Sequence, residues 1–215
     1  MKNKILLEIY EKLWSYFGPQ GWWPAETPFE VCVGAILTQN TNWKNVEKAI
    51  RNLKEKGLLT PEALYNLSLE ELAQLIKPCG FYNLKAKRIR NFLAFLMNTY
   101  QGNLKKMQEE PLEELREKLL SIKGLGKETV DSILLYALEK PIFVVDAYTY
   151  RILNRHGIVA EVSSYDEIQE IFHNSLPKDI ELFKEYHALI VECGKNFCKP
   201  NKTYCDKCPL NSLLI

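Results

Sequence analysis

The chain has 215 residues, 47% hydrophobic and 26% charged, with a formal net charge of +1. That length suits one large domain or two small ones. The near-neutral charge excludes a wholly basic nucleic-acid binder, so any such contact has to come from local patches. No run of about 18 uncharged apolar residues exists, so no transmembrane helix is expected. Residues 1–8 reach the charge of Glu8 at once and hold no signal-peptide core, which predicts a cytoplasmic protein.

Along the chain, helix-start signals recur. Trp22-Trp23-Pro24 and Trp43 frame an apolar helix predicted over 28–37, opened by Thr27-Pro28-Phe29-Glu30, a capping box with proline at the first helical position. Thr60-Pro61-Glu62 offers another cap and first-turn proline. Ser68-Leu69-Glu70-Glu71 and Ser164-Tyr165-Asp166-Glu167 repeat the capping box. Leu112, Leu115, Leu119 and Ile122 fall on one helical face. No convincing alternating strand is present, and the short apolar run 141–145 is too isolated to found a sheet. The fold class is therefore all-α, roughly ten short helices with short loops. Two basic clusters are candidate phosphate contacts: Lys85, Lys87, Arg88 and Arg90, and Lys195, Lys199, Lys202 and Lys207.

Ile122-Lys123-Gly124-Leu125-Gly126-Lys127-Glu128-Thr129 lies between two amphipathic helices. Its glycines permit positive φ and leave backbone N–H groups uncovered, and Leu125 can anchor the turn in the core. Uncovered amides where a helix starts near Lys127 suit a DNA phosphate. The same residues also read as an ordinary helix–turn–helix with a glycine C-cap. A helix over 127–138 follows, and then Asp146, twenty positions beyond Gly126. Aspartate is a favoured N-cap. A carboxylate fixed at a helix start is also well placed to face a developing cation.

Six cysteines are present, four of them between Cys193 and Cys208. Such crowding in a cytoplasmic chain argues for metal rather than disulfides. Cys32 and Cys79 read as small buried hydrophobes. His156, His173 and His187 share no spacing and are assigned no chemistry.

Gly124-Leu125-Gly126-Lys127, the helix after it and Val144-Val145-Asp146 together resemble the helix–hairpin–helix, Gly/Pro loop and aspartate signature of the endonuclease III superfamily of DNA glycosylases. Leu37-Thr38-Gln39-Asn40-Thr41 resembles the family segment that pushes a polar side chain into the duplex. Gly80-Phe81-Tyr82-Asn83-Leu84-Lys85-Ala86-Lys87 resembles its Gly-x-Tyr-x-x-Lys-Ala stretch. The resemblance implies a two-lobed fold, with 25–130 as a helical barrel ending in the hairpin and 1–24 plus 131–215 as a second lobe. Duplex DNA containing a damaged base would lie across the cleft, facing a monomer's catalytic Asp146. DNA contacts are implied for Gln39, Asn40, Gly124, Leu125, Gly126, Lys127 and Thr129.

In bifunctional members a lysine near the start of the second hairpin helix forms a Schiff base and then cleaves the strand. That position is Glu128 here, and Lys127 lies one helical step of about 100° away, which implies a monofunctional, hydrolytic enzyme. Trp22, Trp23 and Pro24, followed by Trp43 shortly after Thr41, are similar to the branch of endonuclease III-related 3-methyladenine DNA glycosylases, which stacks the base between aromatics at Trp22 and Trp43. The implied base pocket is Trp22, Trp23, Trp43 and Glu128. The alternatives are a glycosylase/lyase for oxidised pyrimidines or mismatched bases, and a non-catalytic DNA-binding module.

Cys198, Cys205 and Cys208, spaced C-x6-C-x2-C, resemble the first three ligands of the family's iron–sulfur loop. The fourth would fall at Leu214, and Cys193 is the available substitute. A [4Fe–4S] cluster on Cys193, Cys198, Cys205 and Cys208 is implied, with structural zinc as the alternative. The methyladenine branch can lack the cluster.

Overall fold

A computed structural model describes residues 2–213, with side chains from residue 4 onward. Leu214, the place of the family's fourth cysteine, lies outside the described residues. Twelve α-helices occur among these residues: α1 (Lys2–Phe17), α2 (Pro28–Leu37), α3 (Trp43–Glu55), α4 (Pro61–Asn66), α5 (Leu69–Leu75), α6 (Tyr82–Tyr100), α7 (Leu104–Gln108), α8 (Leu112–Leu120), α9 (Lys127–Ser132), α10 (Ala147–Arg155), α11 (Tyr165–Ser175) and α12 (Ile180–Asn196). No strand accompanies them, only one isolated antiparallel bridge between Cys198 and Thr203. The fold is all-α. No helix among the described residues is long and apolar enough to cross a membrane.

The caps behave as the sequence predicts, with one exception. Ser68 with Glu71 and Ser164 with Glu167 form complete capping boxes. Thr27 accepts the Glu30 N–H, but the Glu30 carboxylate does not return to Thr27. It takes the Glu26 N–H at 3.0 Å and Lys54 at 2.8 Å instead. A carboxylate only 7% exposed needs a full charge opposite it, and Lys54 supplies one where a backbone donor would not.

The chain divides into two compact units, Ala25–Lys140 and Met1–Pro24 with Pro141–Ile215. Within Ala25–Lys140, α2 is buried on almost every side and packs on α3, α6 and α9. The helix predicted over 127–138 leaves α geometry after Ser132 and continues as a π segment, Ile133–Ala137, fully buried against α2. The Leu138 N–H reaches the Ile133 carbonyl at 3.1 Å, and Glu139 with φ 51° ends the run. A wider π turn carries no residue signature of its own, so the sequence reads as plain helix there.

In the other unit, α1 packs on α11 and α12, and α10 on α12. Residues 141–145 run extended through the core, with Phe143 and Val144 fully buried. Buried backbone groups need partners, and α11 supplies them from side chains. His173 Nε2 accepts the Phe143 N–H at 2.9 Å, the Gln169 amide donates to the Phe143 carbonyl at 2.6 Å, and the Tyr165 hydroxyl accepts the Val145 N–H at 3.4 Å. Phe143 stacks on Phe172 with ring centroids 3.6 Å apart. This apolar run delivers the chain to Asp146 without a sheet.

Helices α10 and α12 approach closely at Gly194. A methyl group there would stand 2.3 Å from Tyr148 Cδ1. Gly194→Ala is expected to lower the unfolding free energy by about 1–3 kcal/mol through overpacking, read as a lower thermal midpoint. Gly126→Ala, where no atom lies within 4 Å of the added methyl, is the matched control and should unfold near wild type.

Candidate active site and nucleic-acid interface

Asp146 caps α10 from an extended conformation, φ −114° and ψ −178°. Its Oδ1 accepts the Thr149 backbone N–H at 2.7 Å and the Thr149 hydroxyl at 2.8 Å. Its Oδ2 stands 3.5 Å from His187 Nε2, and its side chain is 11% exposed. At that distance the imidazole acts through charge and a long polar contact. Burial pushes the carboxyl upward, yet His187 and the two Thr149 donors outweigh it and hold the group below the ordinary aspartate range. The ionised form of the acid is thus favoured, with one oxygen committed to the helix and the other turned toward α12.

His187 is a candidate site residue that sequence reading missed. It lies on α12, forty-one positions after Asp146, so no local spacing could pair them. It also meets the ring of Trp22 edge-on at 5.9 Å. Trp22 and Trp23 are 6.1 Å apart, both partly exposed, and the Lys195 ammonium stands 5.3 Å over the Trp22 ring. The structure therefore gathers Asp146, His187 and Trp22 in one unit.

Trp43 belongs to the other unit, at the first position of α3, where its indole N–H donates to Glu47 at 2.9 Å. The hairpin lies there too. Gly124 has φ 99°, a left-handed value that glycine allows, whereas Gly126 has φ −96° and needs no such freedom. Gly126 caps α9 with open space around it, and Leu125 is buried beneath the turn as expected. Lys127 and Glu128 lie in the first turn of α9, Glu128 exposed. Thr129 is buried, and its hydroxyl accepts the Gln39 amide at 2.9 Å.

Gln39 also donates to the Gly124 carbonyl at 3.2 Å. Asn40 beside it is exposed with φ 52°. Phe81 is a second unforeseen candidate: an aromatic side chain 71% exposed, at φ 45°, immediately before α6. The sequence signal was present, an apolar residue between Gly80 and Tyr82 where no core face begins.

The first basic cluster is not a solvent-facing patch. Lys85 is 1% exposed, Arg90 donates to the carbonyls of Tyr65 and Leu67, and Arg88 reaches Gln39; only Lys87 points outward. Lys85 and Arg90 answer backbone carbonyls and Arg88 a side-chain amide, which charge counting along the sequence cannot anticipate. The second cluster is exposed throughout, and Lys199 and Lys202 both flank the Tyr204 ring, at 5.5 and 5.0 Å.

All six cysteines are free thiols, with Cys32 and Cys79 buried. Cys193 Sγ and Cys208 Sγ are 3.8 Å apart. Their shared contact and burial push the Cys193 thiol up, while the same contact draws Cys208 down toward thiolate. Arg155 donates to Cys198 Sγ at 3.1 Å and to the Lys199 and Pro200 carbonyls at 2.8 Å each, and Arg151 to the Cys198 carbonyl at 2.6 Å. No three His, Cys, Asp or Glu side chains form a ready metal cage among the described residues. Two of the four thiols are already paired, the loop is anchored by arginines, and the donor chemistry suits a thiolate-bound metal.

The model of the HhH-GPD superfamily of base excision DNA repair proteins matches residues 33–178. The chain belongs to the HhH-GPD superfamily. A candidate DNA repair glycosylase of Methanocaldococcus jannaschii is 53% identical over all of this chain and 97% of its own. The H. pylori 3-methyladenine DNA glycosylase MagIII, solved bound to 1,N6-ethenoadenine, is 32% identical with a TM-score of 0.77, covering 90% of this chain and 97% of that one. A trapped endonuclease III–DNA covalent intermediate is 25% identical with a TM-score of 0.84, covering 98% and 94%. This HhH-GPD protein is a DNA N-glycosylase of base excision repair.

The lowered Asp146 pKa fixes a pH dependence. Its ionised form contributes stability above the unfolded carboxyl range of about 3.9, and that contribution is lost as pH falls through the folded value. His187→Ala should move the Asp146 titration to higher pH in carboxyl-detected NMR and raise the midpoint of acid unfolding. Unchanged midpoints would remove His187 from the site.

Proposed function

We propose that this glycosylase is monofunctional and releases an alkylated purine such as 3-methyladenine from duplex DNA. The observation that carries the reading is the Asp146 carboxylate, kept anionic and fixed beside His187 and Trp22. Such a carboxylate stabilises the oxocarbenium-like sugar that forms as the glycosidic bond to a flipped base breaks. The bonding electrons leave with the base. A cationic alkylated purine therefore departs neutral and needs no general acid. Water then bonds to C1′, and its proton passes to Asp146 or solvent.

The pocket assignment of Trp22, Trp23, Trp43 and Glu128 rests on the resemblance and on one physical point. The Trp22 ring already attracts a cation, Lys195, as a cationic base requires. The likeness to MagIII over 90% of the chain supports the same substrate class. Hairpin residues Gly124, Leu125, Gly126 and Lys127 grip phosphate. Asn40 and Phe81, both exposed in left-handed backbone, enter the base stack in this reading. Glu128 at the lyase position leaves no Schiff-base nucleophile there.

Asp146→Asn keeps shape and removes charge. It should slow single-turnover base release by about 100-fold or more while duplex binding stays largely intact. Wild-type protein should give no borohydride-trapped adduct, and should release alkylated purines faster than oxidised pyrimidines from duplexes with single defined lesions. Near-normal release by Asp146→Asn would sink the carboxylate's role. A strong adduct would favour the glycosylase/lyase alternative.

Cys193, Cys198, Cys205 and Cys208 are proposed to hold a [4Fe–4S] cluster, which braces the loop that displays Lys199, Lys202 and Lys207 just beyond Lys195 in the last turn of α12. Purified protein should absorb broadly near about 400 nm from thiolate-ligated iron. Cys193→Ser should weaken that band, and Cys32→Ser should not. One zinc per chain and no colour would assign the site to structural zinc.

A further inference from the structure

Three side chains on α6 connect segments that the proposed function assigns to DNA. Lys85 Nζ donates to the Leu37 carbonyl at 2.8 Å and the Cys79 carbonyl at 2.9 Å. Leu37 ends α2 and Cys79 ends a 3₁₀ turn, Lys77–Cys79, so both are orphan carbonyls that a cation satisfies. Three positions further, Arg88 Nη1 donates to Gln39 Oε1. The stem of Arg88 lies flat on the hairpin, where a methyl group on Gly124 would come within 2.6 Å of its Cγ. Asn91, again three positions on, donates to the Lys123 carbonyl at 2.8 Å.

Gln39 closes the arrangement. Its carbonyl accepts Arg88, and its amide donates to Gly124 and Thr129. That one side chain joins the 38–42 loop to a hairpin 85 positions away in sequence. Buried Arg88 Nε has no hydrogen-bond partner. A buried donor left unsatisfied costs stability, which suits a residue retained for positioning rather than for its own bonding.

We propose that Arg88, flanked by Lys85 and Asn91, is a positioning residue that clasps Gln39 to the hairpin, so that the 38–42 loop and the hairpin meet DNA as one preassembled frame. The inference rests on the reading that these two segments contact DNA. Gln39 is then committed inside the protein, and Asn40 is the loop residue left to enter the duplex. The frame removes the orientational cost of ordering two segments at each encounter.

The test uses the full chain, a duplex carrying an abasic-site analogue, and a range of salt. Arg88→Met and Gln39→Ala should each weaken binding about tenfold, the loss of one charge-assisted hydrogen bond. The double variant should be no weaker than either single one, because both break the same clasp. The slope of log affinity against log salt should stay at the wild-type value. Arg88→Lys, which keeps the stem and a donor, should recover part of the loss. Gln39 is partly exposed, so Gln39→Ala tests the clasp from its other end if Arg88→Met unfolds.

A slope reduced by about 0.9 in Arg88→Met would make Arg88 a direct phosphate contact and overturn the proposal. Additive losses in the double variant would overturn it as well. Failure of the wild-type protein to bind any such duplex would instead overturn the reading of the two segments as DNA contacts, and the clasp with it.

Discussion

The two hydrogen bonds from Thr149 to Asp146 Oδ1, at 2.7 and 2.8 Å, fix where the acid stands. Moving the carboxylate uncaps α10, at a cost of about 1 kcal/mol, so the helix keeps the acid in place without any strain in the acid itself. The rest of that unit serves the start of α10. The extended run 141–145 has to arrive buried, and α11 meets its polar backbone with His173, Gln169 and Tyr165. Helix α12 packs close enough, at Gly194, to put His187 beside the second carboxylate oxygen. One and two turns beyond the cap, Arg151 and Arg155 reach the Cys198 loop, so the helix that begins at the acid ends at the cysteines.

Features set by neighbours in sequence were legible from the sequence. The caps at Thr27, Ser68, Asp146 and Ser164, the buried Leu125 and the apolar run before Asp146 follow from local rules of period and capping. The crowded thiols were equally plain. Whether they hold iron or zinc is a matter of metal chemistry that spacing alone leaves open.

Features decided by distant partners were not legible. His187 pairs with Asp146 only because two helices cross. Glu30 abandons its capping box because Lys54 is nearer and charged. Ile133–Ala137 widens into a π turn with no residue type to announce it. Lys85, Arg88 and Arg90 look like a phosphate patch as a string of charges, yet each turns toward orphan carbonyls or a side-chain amide within the unit. A cation's direction depends on which backbone groups the fold leaves unpaired, and the sequence does not list those.

The two basic clusters therefore do different electrical work, and a net charge of +1 conceals it. Charges buried on carbonyls carry little long-range field, but they hold the backbone around them in place. Lys195, Lys199, Lys202 and Lys207 are exposed and do carry such a field. Lys199 and Lys202 both lie within cation–π reach of the Tyr204 ring, which places two like charges on a short loop. In one unit the cations are spent on the fold's own carbonyls and Gln39, and in the other they stand exposed. A near-neutral protein can meet DNA in this way without the excess positive charge that composition alone would demand.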